Sequence, residues 1–273
     1  MNSCRLIIDP PASGAWNMAL DEALLESAQN DGIATLRFYT WREPTLSLGY
    51  FQPHDDRKLH AASAGCALVR RASGGGAILH DRELTYSVAL PFAHPLAARA
   101  EKLYQAVHRS LIETLAEFGA AATQCEPASA PSPYPLPKGE GFETCTNTSS
   151  GLNKPFLCFQ RREQGDVLLA GHKIAGSAQR RQRGAVLQHG SVLWARSPFA
   201  PELPGIADFI DGSKEMAGAN LRGMNGLLEV WPVRLAARLS LDQQREALPE
   251  AVVSAARAIE RGKFGDAGWT CRR

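Results

Sequence analysis

Three consecutive glycines stand between two apolar runs in residues 69–90, VRRASGGGAILHDRELTYSVAL, and no other segment limits the possible folds as much. The strand-like run LTYSVALP follows the glycines, so they lie in a connection between two strands. A P-loop or a Rossmann turn needs glycines at another spacing, between a strand and a helix, so a nucleotide fold is not favoured. Backbone without Cβ atoms can approach a ligand closely, and Arg70 and Arg71 add positive charge there. The segment therefore favours a wall for a flat, acyl-bearing or anionic ligand; a glycine-rich hairpin with solvated arginines is the alternative.

Apolar periodicity elsewhere predicts an α/β (α+β) chain in which a mixed β-sheet is flanked by helices. The clearest helix is AEKLYQAVHRSLIETLAEFG, because Leu103, Val107 and Leu111 fall on one stripe and Gly119 ends it. A second helix is predicted for GAWNMALDEALLESAQN. Short strands are predicted in both halves of the chain: RLIID, TLRFYTW, TLSLGYF, CALVR, FLCF, GDVLLAG, HKIAGSAQRR and GAVLQHGSVLW.

Composition changes in two places along the chain. Residues 125–155 are rich in Pro, Ser, Gly and Thr without periodicity, which indicates a disordered insertion. From residue 225 onward, GLLEVWPVRLAARL and LPEAVVSAARAIERG have helical composition. We therefore expect a main domain over residues 1–224 and a small C-terminal helical appendage over 225–273.

Charge and cysteine usage exclude several classes of protein. The 30 Lys and Arg nearly balance the 28 Asp and Glu, and no basic stripe with aromatics is present, so no nucleic-acid partner is expected. The chain contains no apolar run of about 18 residues, the length that a membrane-spanning helix needs, so no membrane partner is expected. The six cysteines form no CxxC pair and no zinc-like cluster, so we expect no metal and free thiols in a cytoplasmic protein.

Individual polar residues in the second half are ambiguous by themselves. Lys173 stands between small residues in GHKIAGSA, where it could approach a carbonyl or a thiol, although a lone lysine is more often a solvated surface charge. Ser177 and His189 could equally be hydrogen-bonded core groups. Cys158, in PFLCFQ, has the surroundings of an inert buried cysteine, and it is a candidate for a chemical role only if a cation lies near it.

Taken in order, NMALDEALL, LRFYTWREPTLSLGYFQ, the glycine segment, CF and GHKIAGSAQRRQRGAVLQHGSVL resemble the lipoate-protein ligase and octanoyltransferase family over roughly residues 5 to 265. This family attaches lipoyl or octanoyl groups to a lysine of lipoyl domains. The resemblance implies the biotin/lipoate-protein ligase catalytic-domain fold, a mixed sheet with flanking helices, which agrees with the predicted elements.

Two chemistries occur in this family. Ligases activate a free acid with ATP, whereas octanoyltransferases take octanoyl from acyl carrier protein without ATP, in one branch through an enzyme cysteine shortly before the lysine motif. Cys158 occupies that place, so the resemblance favours a cysteine-dependent octanoyltransferase of lipoate biosynthesis, acting on a lipoyl domain or the glycine-cleavage carrier protein. No cofactor is then expected; ATP and Mg²⁺ belong to the ligase alternative. An octanoyl amidotransferase between carrier proteins, a non-catalytic carrier-docking module and, less favoured, a biotin transferase are further alternatives.

The resemblance also implies a role for each matched residue. Cys158 would be the acyl-carrying nucleophile and Lys173 the cation that stabilises its thiolate. A cation matters because an ordinary cysteine thiol, with a pKa of about 8.5, is mostly protonated at neutral pH. The remaining matched residues would form two walls of the substrate pocket. One wall comprises Arg71, Gly74, Gly75, Gly76 and His80, and the other Ser177, His189 and Gly190.

Overall fold

The structure is a computed structural model, and it describes residues 2–126, 155–210 and 223–272. The predicted insertion at 125–155 lies outside the described residues except at its two ends.

Within the described residues, eight strands form one mixed sheet in the order β11-β1-β2-β6-β10-β9-β8-β7. The first strands in the order, β11, β1 and β2, run parallel to one another, and β6, β10, β9, β8 and β7 continue the sheet with antiparallel pairing. Both halves of the chain thus contribute to one sheet, as predicted. The strands are β1 (Asn2–Ile8), β2 (Ala34–Tyr39), β6 (Glu83–Leu90), β7 (Thr123–Gln124), β8 (Val167–Leu169), β9 (His172–Gln182), β10 (Ala185–Leu193) and β11 (Leu241–Arg245).

A second, three-stranded sheet carries the glycine segment. Its central strand β3 (Thr45–Leu48) pairs in parallel with β4 (Ala67–Arg70) and antiparallel with β5 (Ile78–His80). The three glycines lie between β4 and β5, so the prediction of a connection between two strands is confirmed.

Helices cover both faces of the large sheet. On one face α1 packs against α4 and against β6 and β10, and on the other α2 packs against α3. The Ser13 hydroxyl caps the start of α1 by accepting a hydrogen bond from the Trp16 N–H, and Gly32 ends α1 at φ 70°. The predicted apolar stripe of α2 is buried in the core on its face of the sheet. The helices are α1 (Gly14–Asp31), α2 (Ala100–Glu117), α3 (Gly223–Arg238), α4 (Glu250–Ile259) and α5 (Ala267–Thr270).

The fold class is therefore confirmed, with one difference near the C-terminus. The tail contains α3, α4 and α5 but also the strand β11, which pairs with β1 at the edge of the large sheet. Trp231 of α3 is fully buried and its ring lies edge-on to Phe38 and Tyr86 of that sheet. These contacts join the C-terminal residues to the main core, whereas the boundary at residue 224 stays a prediction. Among the described helices, none is both long and apolar enough to cross a membrane.

Candidate active site

A cavity of about 250 Å³ lies where the glycine segment, the turn at Cys158 and the strands β9 and β10 meet. The structure brings every predicted site residue to this one cavity, although their roles stay predictions. The predicted residues that line it are Arg71, Gly74, Gly75, Gly76, His80, Cys158, Lys173, Ser177, His189 and Gly190.

Main-chain hydrogen bonds hold Cys158 beside the glycine wall. The Ala77 N–H donates to the Phe156 carbonyl at 3.1 Å, and the Cys158 N–H donates to the Ala77 carbonyl at 2.7 Å. Residues 156–158 therefore run alongside the end of the glycine segment. The strand predicted for FLCF is wrong: Leu157 forms an isolated bridge with Ala77, and a short 3-10 turn begins at Cys158, whose side chain is half-buried at the cavity.

The cation that would make Cys158 a candidate nucleophile is the ammonium of Lys173. Its Nζ lies 3.9 Å from Cys158 Sγ and 2.8 Å from Asp166 Oδ2, and its side chain is only 4% exposed. Burial lowers the pKa of Lys173, but the charges of Cys158 and Asp166 outweigh burial and raise it above the ordinary value. Lys173 is therefore a buried ammonium at neutral pH, and its interpretation as a solvated surface charge is wrong.

Asp166 is a site residue that the sequence analysis missed. Its side chain is 2% exposed, and besides Lys173 it accepts hydrogen bonds from the Tyr104 hydroxyl at 2.9 Å and the Glu163 N–H at 2.8 Å. In the sequence, an acidic residue just before the apolar strand of GDVLLAG was the available signal. That signal does not show that β8 and β9 are neighbours, which is what places Asp166 against Lys173.

The buried side chain of Arg71 stabilises the glycine wall through hydrogen bonds. Its guanidinium donates to the Ser47 carbonyl and hydroxyl, each at 2.7 Å, and to the Gly76 carbonyl at 2.8 Å. Burial lowers the pKa of Arg71 to about 10, against the opposing effects of Cys158 and Glu83, so Arg71 stays charged at neutral pH. Both Arg70 and Arg71 are buried, so the alternative of a hairpin with solvated arginines is wrong.

His80 closes one side of the cavity as a neutral ring. Its Nδ1 lies 2.6 Å from Glu83 Oε1, its Nε2 lies 2.7 Å from the Ser47 hydroxyl, and it stacks on Trp41 at 3.8 Å between ring centroids. Burial lowers the pKa of His80 despite the neighbouring Glu83 carboxylate. With both ring nitrogens occupied, His80 is suited to shaping the wall rather than to moving protons.

Ser177 and Gly190 are paired positions on the neighbouring strands β9 and β10, and Tyr86 of β6 pairs with Gly190 from the other side. A Cβ atom at Gly190 would lie 2.6 Å from both the Gly176 carbonyl oxygen and Ser177 Oγ. Because Gly190 has no side chain, the Tyr86 hydroxyl reaches across it and bonds to Ser177. The absence of a side chain at Gly190 of β10 thus allows a hydrogen bond between Tyr86 of β6 and Ser177 of β9.

His108 of α2 completes this chain and fixes the direction of its protons. Its Nδ1 donates to the Gly165 carbonyl at 2.7 Å, so its Nε2 accepts from the Ser177 hydroxyl at 2.6 Å. Burial lowers the pKa of His108 to about 4, with a smaller contribution from the Lys173 charge. The ring is therefore neutral at pH 7.

His189 lies on the α1 side of the cavity. Its Nε2 is 2.9 Å from the Ser73 hydroxyl, and its Nδ1 is 3.7 Å from Asp21 Oδ2. Asp21 is itself held by Arg37 and Tyr39, so His189 is oriented by a buried polar cluster. This agrees with its predicted place in the wall, next to the glycine segment.

The remaining predictions for this site concern thiols and metals. Cys4, Cys66, Cys158 and Cys271 are free, so Cys158 is available as a nucleophile. Cys125 is disulfide-bonded, so the expectation of free thiols is wrong for that residue. Among the described residues, no group of three or more His, Cys, Asp or Glu side chains could hold a metal ion, and the absence of a metal stays a prediction.

The arrangement suits covalent acyl chemistry. A thiolate on Cys158 would have the Lys173 ammonium beside it, and charge on Arg71 lies in the wall of the same cavity. Such charges favour a sulfur nucleophile in its reactive ionised form. The glycine wall presents backbone without Cβ atoms to the same cavity.

Proteins named as octanoyltransferases have sequences similar to this chain. A model of the lipoyl protein ligase A/B catalytic domain matches residues 13–198. The octanoyltransferase LipM of Kyrpidia tusciae is 37% identical over 204 residues, 73% of this chain and 69% of the relative. LipM of Anoxybacillus flavithermus is 37% identical over 195 residues, 69% of this chain and 64% of the relative. The chain thus spans about two thirds of the length of these curated relatives.

Solved structures agree with the fold. A bi-partite lipoate protein ligase from Thermoplasma acidophilum superposes with a TM-score of 0.69 at 20% identity, covering 99% of this chain and 97% of that one. Lipoate-protein ligase A bound with ATP gives a TM-score of 0.69 at 22% identity, covering 99% of each chain. At these identities, the superpositions demonstrate a shared fold alone. The catalytic-domain match over residues 13–198, more than half of the chain, shows that the chain belongs to the lipoyl protein ligase A/B catalytic domain family.

Proposed function

We propose that the protein is an octanoyltransferase that moves an octanoyl group from acyl carrier protein to a lysine of a lipoyl domain or of the glycine-cleavage carrier protein. The observation that carries this proposal is the half-buried Cys158 thiol with the Lys173 ammonium 3.9 Å from its sulfur in the cavity. The LipM relatives, which are named octanoyltransferases, support the same reaction.

In the first step the Cys158 thiolate attacks the carbonyl carbon of the donor thioester. A new C–S bond forms to Cys158 and the C–S bond to the carrier breaks, so the carrier sulfur leaves with the electron pair. The Lys173 ammonium stabilises the thiolate before attack, and backbone N–H groups of the glycine segment are suited to the oxyanion of the tetrahedral intermediate.

In the second step the amine of the acceptor lysine attacks the Cys158 thioester. A C–N bond forms, the C–S bond breaks and the electron pair returns to Cys158 Sγ beside Lys173. The acceptor arrives as an ammonium and ends as an amide, so it loses two protons, which pass to solvent. The product amide is more stable than the thioester, and the exchange between two thioesters is nearly isoenergetic. The reaction therefore takes place without ATP and without a cofactor.

The test is the intact mass of the protein after incubation with octanoyl-acyl carrier protein in the absence of ATP. We expect an adduct of one octanoyl group that hydroxylamine removes. The adduct should disappear in Cys158→Ala and persist in Cys271→Ala, which removes an exposed free cysteine at another place. Adding a lipoyl domain to the isolated adduct should transfer the octanoyl group to it.

The alternatives give different results in the same experiment. A lipoate ligase labels the lipoyl domain only with lipoate and ATP, and Cys158→Ala does not affect it. An amidotransferase forms the adduct only from an octanoylated lipoyl domain or glycine-cleavage carrier protein, and not from octanoyl-acyl carrier protein. A docking module binds a carrier protein and forms no adduct. We also propose that the protein acts in the cytoplasm, because four cysteines, Cys158 among them, are free thiols, although Cys125 is disulfide-bonded.

A further inference from the structure

The carboxylate of Asp166 lies 2.8 Å from the Lys173 ammonium in the same cavity, and Asp166 is not among the predicted site residues. We propose that Asp166 is a positioning residue that keeps the Lys173 ammonium charged and in place while Cys158 carries the acyl group. This inference rests on the proposed function, because it concerns a stage that exists only if Cys158 is acylated.

The argument begins with the charges around Lys173. Before acylation, two groups that can carry negative charge lie at its ammonium, Cys158 Sγ at 3.9 Å and the Asp166 carboxylate at 2.8 Å. A thioester sulfur is uncharged, so acylation removes the first of these possible anions. Lys173 is 4% exposed, and a buried ammonium without a nearby anion tends to release its proton. Asp166 is then the contacting anion that remains.

The other titratable groups facing Lys173 do not replace Asp166. Glu163 acts on Lys173 only through its charge, and its side chain is exposed to solvent, which screens that charge. His108 is neutral at pH 7, and its charged form would repel an ammonium. Burial and the nearby Asp166 carboxylate raise the pKa of Tyr104, so Tyr104 stays a neutral hydroxyl.

Asp166 is held rigidly enough to place its partner. The Tyr104 hydroxyl donates to Oδ1 at 2.9 Å and the Glu163 N–H donates to Oδ2 at 2.8 Å, so the carboxylate is fixed from two sides. One turn along α2 from Tyr104, His108 binds the carbonyl of Gly165, the residue just before Asp166. Helix α2 thereby anchors the chain at Asp166, and Asp166 orients Lys173 toward the sulfur.

A charged Lys173 at the acyl-enzyme stage has a clear use. When the acceptor amine displaces Cys158, negative charge returns to the sulfur, and an ammonium already in place stabilises that charge as it forms. A neutral lysine at this buried position would first have to acquire a proton. Asp166 thus prepares the second half-reaction.

The test measures the protonation of Lys173 directly, by NMR of protein labelled with ¹³C at the lysine ε-carbon. Cys158→Ser supplies an uncharged group at the nucleophile position without any acyl donor, and Lys173→Met identifies the resonance. In Cys158→Ser we expect Lys173 to stay protonated up to pH 9. In Cys158→Ser with Asp166→Asn, its titration midpoint should fall by about one to three pH units. The matched control Glu163→Gln removes an exposed carboxylate from the same surroundings and should change the midpoint much less.

Equal midpoints with and without Asp166 would overturn the proposal. If Asp166→Asn does not fold, the otherwise unmodified protein gives the answer after a methylthio group is attached to Cys158, because this cap makes the sulfur neutral while Asp166 stays. Loss of the Lys173 proton below pH 9 in the capped protein would equally refute the role of Asp166. Neither measurement uses octanoyl substrates, so both results are independent of whether octanoyl transfer is observed.

Discussion

Replacing His108 by glutamine should remove an acid-sensitive part of the protein's stability. The imidazole is fully buried and bonded to the Gly165 carbonyl and the Ser177 hydroxyl, and burial lowers its pKa from 6.5 to about 4. Folded protein therefore binds fewer protons at this residue than the unfolded chain does. The contribution of neutral His108 is fully present above pH 6.5 and is lost as the pH falls toward 4.

The size of the effect follows from the two pKa values. At pH 5 the unfolded chain carries nearly one more proton at this residue than the folded protein. Over about 1.5 pH units below 6.5, at about 1.4 kcal/mol per unit, folding loses about 2 kcal/mol. Glutamine retains a donor and an acceptor but does not titrate. His108→Gln should therefore cost about 1 to 3 kcal/mol at pH 7 and about 2 kcal/mol less than that at pH 5.

Urea unfolding of the unmodified protein and of His108→Gln, each at pH 7 and pH 5, measures how the penalty of the substitution changes with pH. The contributions of other titrating groups cancel in this comparison. Ser110→Ala is the control, because Ser110 is also buried on α2, accepts a hydrogen bond from Trp231 and does not titrate. Its penalty should be the same at both pH values. A penalty for His108→Gln that does not change between pH 7 and pH 5 would show that His108 is not held neutral by burial.

Three further variants test the geometry of the cavity. Gly190→Ala should lower the free energy of unfolding, measured in urea, by about 1 to 3 kcal/mol, because its Cβ would lie 2.6 Å from the Gly176 carbonyl oxygen. The control Gly262→Ala adds a Cβ in open space and should not lower the free energy of unfolding. Lys173→Met should slow alkylation of Cys158 by iodoacetamide at pH 7 by about tenfold or more, and an unchanged rate would argue against thiolate stabilisation by this ammonium. Arg71→Lys should lower the unfolding free energy by about 1 to 3 kcal/mol, because an ammonium cannot reproduce the fork that holds Ser47 and Gly76; equal urea midpoints would contradict this.

Most of the secondary structure was predictable because it depends on local patterns. The stripe of Leu103, Val107 and Leu111 identified α2, and the glycine segment was correctly placed between strands. The strand β11 escaped prediction because its residues, LDQQR, have little apolar character. Its backbone pairing with β1 stabilises it as an edge strand, and periodicity carries no signal for that pairing.

The sequence by itself determined the family, the fold class and ten of the residues around the cavity, because glycines, a cysteine and a lysine in long collinear motifs are local properties of the chain. It left open whether Lys173 and Arg71 were solvated and whether Cys158 was inert. Tertiary structure decided the first point by burying both cations, and by placing the Lys173 ammonium beside the sulfur it supports the proposed reactivity of Cys158. It alone also revealed Asp166, Tyr104 and His108, since the electrostatics of a buried group depend on neighbours that the fold brings from other elements.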